Sequence, residues 1–125
     1  MRKGFTLIEL VMVIIILGII AVVALPRYAN LSTQAKESAA KGVVTSIRAA
    51  VALRYASNNT NGGAELFPAS LEAGMFQDSQ IPTEPYSNSN AVEIGTGAPT
   101  GTTGGWFYDS SNGRVYINHS AYSSY

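Results

Sequence analysis

Lys3-Gly4-Phe5-Thr6-Leu7-Ile8-Glu9-Leu10-Val11-Met12-Val13-Ile14-Ile15-Ile16-Leu17-Gly18-Ile19-Ile20-Ala21-Val22-Val23-Ala24-Leu25-Pro26 is the stretch that decides the fold. Between Phe5 and Leu25 the apolar run is broken only by Thr6, Glu9 and Gly18. At ~1.5 Å per residue a helix over it spans about 30 Å, the hydrocarbon thickness of a bilayer. The short basic start, with Arg2 and Lys3, stays on the cytoplasmic side by the positive-inside tendency and sends the remainder outward. A secretory signal has an apolar core of only ~7–15 residues with a small-residue cleavage site after it. This run is longer and no such site follows. It reads as a retained anchor.

Two features inside the run carry physical cost. An ionised Glu9 in a membrane helix costs roughly 2.5–3.5 kcal/mol on the lenient scales unless it is paired. Pro26 cannot donate to the carbonyl of Val22 and its ring crowds that oxygen. Gly18 is a second weak point for a helix. Together Gly18 and Pro26 bracket a segment expected to bend in one state and unwind in another.

Beyond Pro26 the composition changes without a turn signal. Ala35, Ala39, Val43, Ile47, Ala50 and Val51 recur at helical spacing, while Lys36, Lys41 and Arg48 occupy other faces. This predicts a continuing, amphipathic helix over 27–57. Asn58-Asn59-Thr60-Asn61-Gly62-Gly63 stops it, because Asn and Gly accept the left-handed conformation of helix ends. A short helix is expected near Ser70–Gly74, limited by Pro68, then a loop with Pro82 and Pro85. A strand is expected over Ala91–Ile94, followed by a Gly/Thr loop from Gly95 to Gly105.

The clearest local signal is Trp106-Phe107-Tyr108, then Asp109-Ser110-Ser111-Asn112-Gly113, then Arg114 to Asn118, which reads as strand, turn, strand. Trp106, Tyr108, Val115 and Ile117 are the candidates for the face that covers the helix, and Ser120–Tyr125 for an exposed tail. The fold class is therefore α+β: a long N-terminal helix bent near Pro26, with a small C-terminal antiparallel sheet of three strands. Its parts are 1–4 as a short basic start, 5–26 as membrane helix, 27–57 as amphipathic helix and 58–125 as head.

The chain has 125 residues and no cysteine, which excludes a disulfide, a thiolate metal site and a c-type haem attachment. A head this small with no staple points to partner subunits as a source of stability. Eight basic and eight acidic residues cancel, but they are segregated. Arg27, Lys36, Lys41, Arg48 and Arg54 face only Glu37 in the stem. Glu65, Glu72, Asp78, Glu84, Glu93 and Asp109 face only Arg114 in the head. A basic stem and an acidic head attract, within one molecule or between neighbours. The basic residues are sparse and not interleaved with aromatics, so no nucleic-acid surface is indicated. The single histidine, His119, and the many serines form no nucleophile–base set, so no catalytic residue and no cofactor is assigned. Asn58-Asn59-Thr60 and Asn118-His119-Ser120 match the glycosylation pattern, which an Asn-rich surface produces by chance. Phe5, Tyr28 and Tyr55 read as packing residues of the helix.

Lys3-Gly4-Phe5-Thr6-Leu7-Ile8-Glu9-Leu10, the bilayer-length run and Pro26 resemble the N-terminus of the type IV pilin and pseudopilin superfamily. The region Arg27–Ala56 is similar to the mannose-sensitive haemagglutinin type of pilin. The resemblance implies cleavage between Gly4 and Phe5 by a prepilin peptidase, then methylation of the new amine at Phe5. Losing Arg2 and Lys3 takes the basic count from eight to six against eight acids, a side-chain charge of −2. The freed amine lies one helical turn from Glu9 and can neutralise it, in the same helix or in a neighbour's. The resemblance further implies an inner-membrane protein handed by an assembly platform to a helical homo-oligomer on the cell surface, with melting between Gly18 and Pro26. Major secretion pseudopilins carry a calcium site in their loops. Asp78, Glu84, Glu93 and Asp109 match no defined calcium loop, so no metal is assigned. Major pilins often close the C-terminal region with a disulfide, which this chain cannot do. A periplasmic pseudopilin of a type II secretion system is therefore the alternative within the family. A single-span membrane protein with a periplasmic binding head is the alternative outside it.

Overall fold

The computed structural model describes residues 4–62, 67–119, 122 and 124. Arg2, Lys3, Gly63, Glu65 and most of the expected tail 120–125 lie outside the described residues. The element order is α1 (Leu7–Thr60), a single 3-10 turn (Ala73–Met75), β1 (Val92–Gly95), β2 (Trp106–Asp109) and β3 (Arg114–Ile117). The chain divides into two compact units, one up to Ala35 and one from Lys36 onward.

The first unit is helix, with Pro26 inside it and helical assignment on both sides. Of its described side chains nearly all are exposed, and among the described residues α1 is the helix long and apolar enough to cross a membrane. A helix apolar all round with nothing packed on it needs lipid or other helices.

The second unit contains the rest of α1, which ends at Thr60, a few residues beyond the expected Ser57. Its inner face is Ala40, Val44, Ile47 and Val51, all buried, packed with Leu71 and with Trp106, Tyr108, Val115 and Ile117 of the sheet. The four sheet residues foreseen for this role hold it. Ile47 and Val51 of the expected helical stripe are buried in the core and Ala50 is half-buried, but Ala35 and Ala39 are exposed and Val43 is only half-buried, with Ala40 and Val44 facing the core instead. Alanine stands on several faces of this helix, so spacing left the phase of the stripe's first turns open.

The sheet order is β1-β2-β3. β2 and β3 form the expected antiparallel hairpin, with Trp106 opposite Ile117 and Tyr108 opposite Val115. The pairing of β1 with β2 is parallel, so the sheet is mixed rather than purely antiparallel. The Gly/Thr segment 96–105 carries the chain back to the start of β2, and Gly104 and Gly105 both adopt φ of +79° there. Phe107 points away from the helix yet stays buried, because its ring lies against Gly95. A Cβ on that glycine would sit 2.7 Å from the ring.

Two aromatic heads tie down the irregular segments. Trp106 Nε1 donates to the carbonyl of Pro82 at 2.6 Å, and Tyr108 Oη donates to that of Pro68 at 2.6 Å. Large rings thus fill the core while their polar ends satisfy loop carbonyls.

The acidic head is less acidic at its surface than its composition implies. Glu84 is fully buried and accepts from the amides of Tyr86 (2.5 Å) and Ser87 (2.8 Å) and from the Ser87 hydroxyl. Asp109, 1 % exposed, accepts from the amides of Gly97 and Ser111, the Ser111 hydroxyl and Asn112 Nδ2, all within 3.0 Å. The Ser111 hydroxyl is the largest influence holding the Asp109 carboxyl below its usual range, against burial and with help from the other donors. Both carboxylates hold turns together, and among the described residues no group of three or more His, Cys, Asp or Glu is placed to hold a metal.

Candidate processing and assembly site

Helix α1 starts at Leu7, and its first turn is held by a reciprocal pair. The Thr6 amide donates to Glu9 Oε2 at 2.8 Å, and the Thr6 hydroxyl donates to the same oxygen at 2.9 Å. In return the Glu9 amide donates to Thr6 Oγ1 at 3.3 Å, and the Leu10 amide reaches the Thr6 carbonyl at 3.3 Å. This is a capping box, with Thr6 as N-cap and Glu9 as the third helical residue. The motif Thr-x-x-Glu stands in the sequence, but the apolar context drew attention to charge alone, so Thr6 was missed. The carboxylate is also well placed against the positive end of the helix.

Gly4 and Phe5 precede this turn and are exposed. Nothing lies within 4 Å of where a Cβ on Gly4 would sit, and Phe5 is 87 % exposed. Thr6 and Glu9 are thus brought together, with Phe5 next in the chain. Gly18 and Pro26 share the helix and make no site of their own in this structure. Gly18 is surrounded by open space, and the helix is continuous between them.

From Leu7 to Leu25 the large side chains remain exposed. At about 25 cal/mol per Å² such a surface is strongly driven to leave water. The site can do two things chemically: present a peptide bond after glycine, and offer one carboxylate at the end of an oily rod.

The family described as the prokaryotic N-terminal methylation motif matches residues 1–25. A type IV major pilin protein of Neisseria gonorrhoeae, PilE1, is 34 % identical over 87 residues, covering 65 % of this chain and 53 % of the relative. The type IV major alpha-pilin of Moraxella bovis is 35 % identical over 94 residues, covering 74 % and 59 %. These matches support the type IV pilin and pseudopilin superfamily. The type II secretion system core protein G of Pseudomonas aeruginosa is also similar, 38 % identical over 68 residues, covering 51 % and 48 %. The chain spans about half the length of the curated relatives it matches. No solved structure matches it.

Proposed function

We propose that this chain is a structural subunit of a type IV pilus, cut after Gly4, methylated at Phe5, and stacked through its N-terminal helix. The observation that carries the reading is an uncovered apolar stretch of α1, Leu7 to Leu25, of bilayer length, whose one carboxylate, Glu9, sits in the first turn. After cleavage the amine of Phe5 lies within a turn of that carboxylate. The pair lets the helix leave lipid and bundle with copies of itself without an unpaired charge. A prepilin peptidase with methylase activity and an inner-membrane assembly platform are the partners this sequence of events requires. The chain rests as a single-pass protein of the inner membrane and ends in a surface filament. Gly18 and Pro26 supply the stretch that unwinds on assembly. Its task is architectural rather than catalytic.

The similarity to a secretion protein supports a second reading, a pseudopilin whose filament stays in the periplasm. Electron microscopy and mass spectrometry of filaments sheared from cells separate the two. Abundant chain beginning at methylated Phe5 is expected for the pilus. Its absence outside the cell, with secretion lost on deletion, would replace that reading with the pseudopilin.

A further inference from the structure

We propose that Asn61-Gly62 is a self-modifying site. There Asn61 loses its side-chain amide as ammonia and becomes aspartate or isoaspartate, while the second Asn-Gly pair, Asn112-Gly113, is held unreactive by the fold. The proposal is independent of the filament reading above.

Asparagine before glycine is prone to this reaction, because glycine has no side chain to obstruct its own amide nitrogen. That nitrogen bonds to the asparagine Cγ, the Cγ–Nδ2 bond breaks, and ammonia departs with the amide proton. A water then opens the cyclic imide. Opening at Cγ restores the ordinary backbone with a carboxylate side chain. Opening at the main-chain carbonyl leaves the chain running through Cγ, one methylene longer. No electrons are exchanged, and water is the only co-reactant.

Cyclisation needs a free nitrogen on the following residue, a side-chain carbonyl turned towards it, and a free leaving amide. At Asn112 all three are engaged. Its Nδ2 donates to Asp109 Oδ2 at 2.9 Å, its Oδ1 accepts from the Arg114 amide at 2.9 Å, and the Gly113 amide donates to the Asp109 carbonyl at 2.8 Å. Asp109, which anchors two of these bonds, is itself buried. The Phe67 ring lies where a Cβ on Gly113 would sit, so the turn is also packed from outside.

Asn61 stands just beyond the end of α1 and is exposed together with Gly62. Its main-chain amide reaches the Ser57 carbonyl at 3.2 Å. Among the described residues, however, neither its side chain nor the Gly62 amide has a hydrogen-bond partner. Gly62 adopts φ of +71° with nothing within 4 Å of where a Cβ would sit, so the Asn61 side chain has room to swing onto the nitrogen. Asn58 and Asn59 lie inside α1, where the amide that follows each is tied into the helix. The carboxylate formed at Asn61 appears at the negative end of the helix dipole, where an anion is unfavourable. Conversion therefore loosens the last turn of α1 and makes the chain more acidic.

The test incubates full-length, detergent-solubilised chain in mildly alkaline buffer and reads each asparagine by peptide mass mapping. An isoaspartate-specific methyltransferase marks the rearranged product. Asn61 should convert, and Asn112 should lag it at least roughly tenfold, the weight of the few hydrogen bonds that must break first. In urea Asn112 should speed up and the gap should close. Asn61→Gln should abolish conversion at that site and leave Asn112 as it was. An Asn61 that stays intact in the folded chain, or converts no faster than Asn112, would overturn the proposal. So would a gap that persists after unfolding, since the hydrogen bonds would then not be its cause.

Discussion

Glu9 and Thr6 hold each other across the first turn of α1, the carboxylate taking both the amide and the hydroxyl of Thr6 while its own amide returns to that hydroxyl. One residue therefore has two separable duties, capping a helix and carrying charge. Gln serves a capping box nearly as well as Glu but brings no charge. Glu9→Gln should keep membrane insertion, leader cleavage and helix content, yet lose filaments. Glu9→Val should do the same at a further cost to the first turn, since loss of a cap costs about 1 kcal/mol. Pilus counts and helix content by circular dichroism check both. Normal fibres from Glu9→Gln would leave capping as the residue's only task.

A second expectation concerns the helix between Gly18 and Pro26. Pro26 lies inside α1 at a site where a proline costs roughly 3 kcal/mol relative to alanine. Pro26→Ala should stiffen the segment and reduce filament yield without affecting insertion. A filament map should show residues 18–26 off the helical path, and unbroken α-helix there would refute the role given to Gly18 and Pro26.

The head should be sensitive at its aromatic clamps. Trp106→Phe keeps most of the ring but leaves the carbonyl of Pro82 without its donor, a loss of about 1–3 kcal/mol. Ile47→Ala opens a cavity beneath the sheet and should cost roughly 2–5 kcal/mol. Leu53→Ala, at an exposed position, should leave the isolated chain's stability within about 0.5 kcal/mol. Chemical unfolding of detergent-solubilised chain ranks the three.

Two buried groups set the pH limits of the head. Asp109 has its carboxyl lowered in the fold, so the stability it contributes is present above the ordinary carboxylate range and lost as pH falls through its folded value. Tyr108 is pushed up to about 12, first by burial and then by the charge of Asp109. A raised folded pKa means the proton is held more tightly in the fold. Its contribution is therefore full below about 10, the unfolded value, and is lost as pH rises towards 12. Asp109→Asn should flatten the acid limb of a pH–stability profile, and Tyr108→Phe the alkaline limb. Unaltered limbs would show that neither group sets them.

Much of this architecture can be read from residues alone, and the limits of that reading are physical. Trp106, Tyr108, Val115 and Ile117 alternate on a strand pair with an Asn-Gly turn, so their shared face was legible. Ile47 and Val51 were legible too, whereas the first turns of the helical stripe were not, because alanines stand at Ala35, Ala39 and Ala40 alike and only docking chooses among them. The parallel pairing of β1 depends on how segment 96–105 folds back, and a Gly/Thr loop carries no signal for that. Glu84 and Asp109 looked like surface charge, although Asp109-Ser110-Ser111-Asn112 is a sequence suited to a carboxylate that caps its own turn. At the N-terminus Gly4, Phe5 and Glu9 were singled out by motif, while Thr6 emerged only from geometry.

The most direct test is a filament map resolved well enough to place side chains at the N-terminus of each copy. The account predicts a chain that begins at a methylated Phe5, with its amine within hydrogen-bonding distance of a Glu9 carboxylate inside the bundle of apolar helices. Filaments whose subunits keep Gly4, or whose Glu9 points to solvent away from every amine, would contradict it.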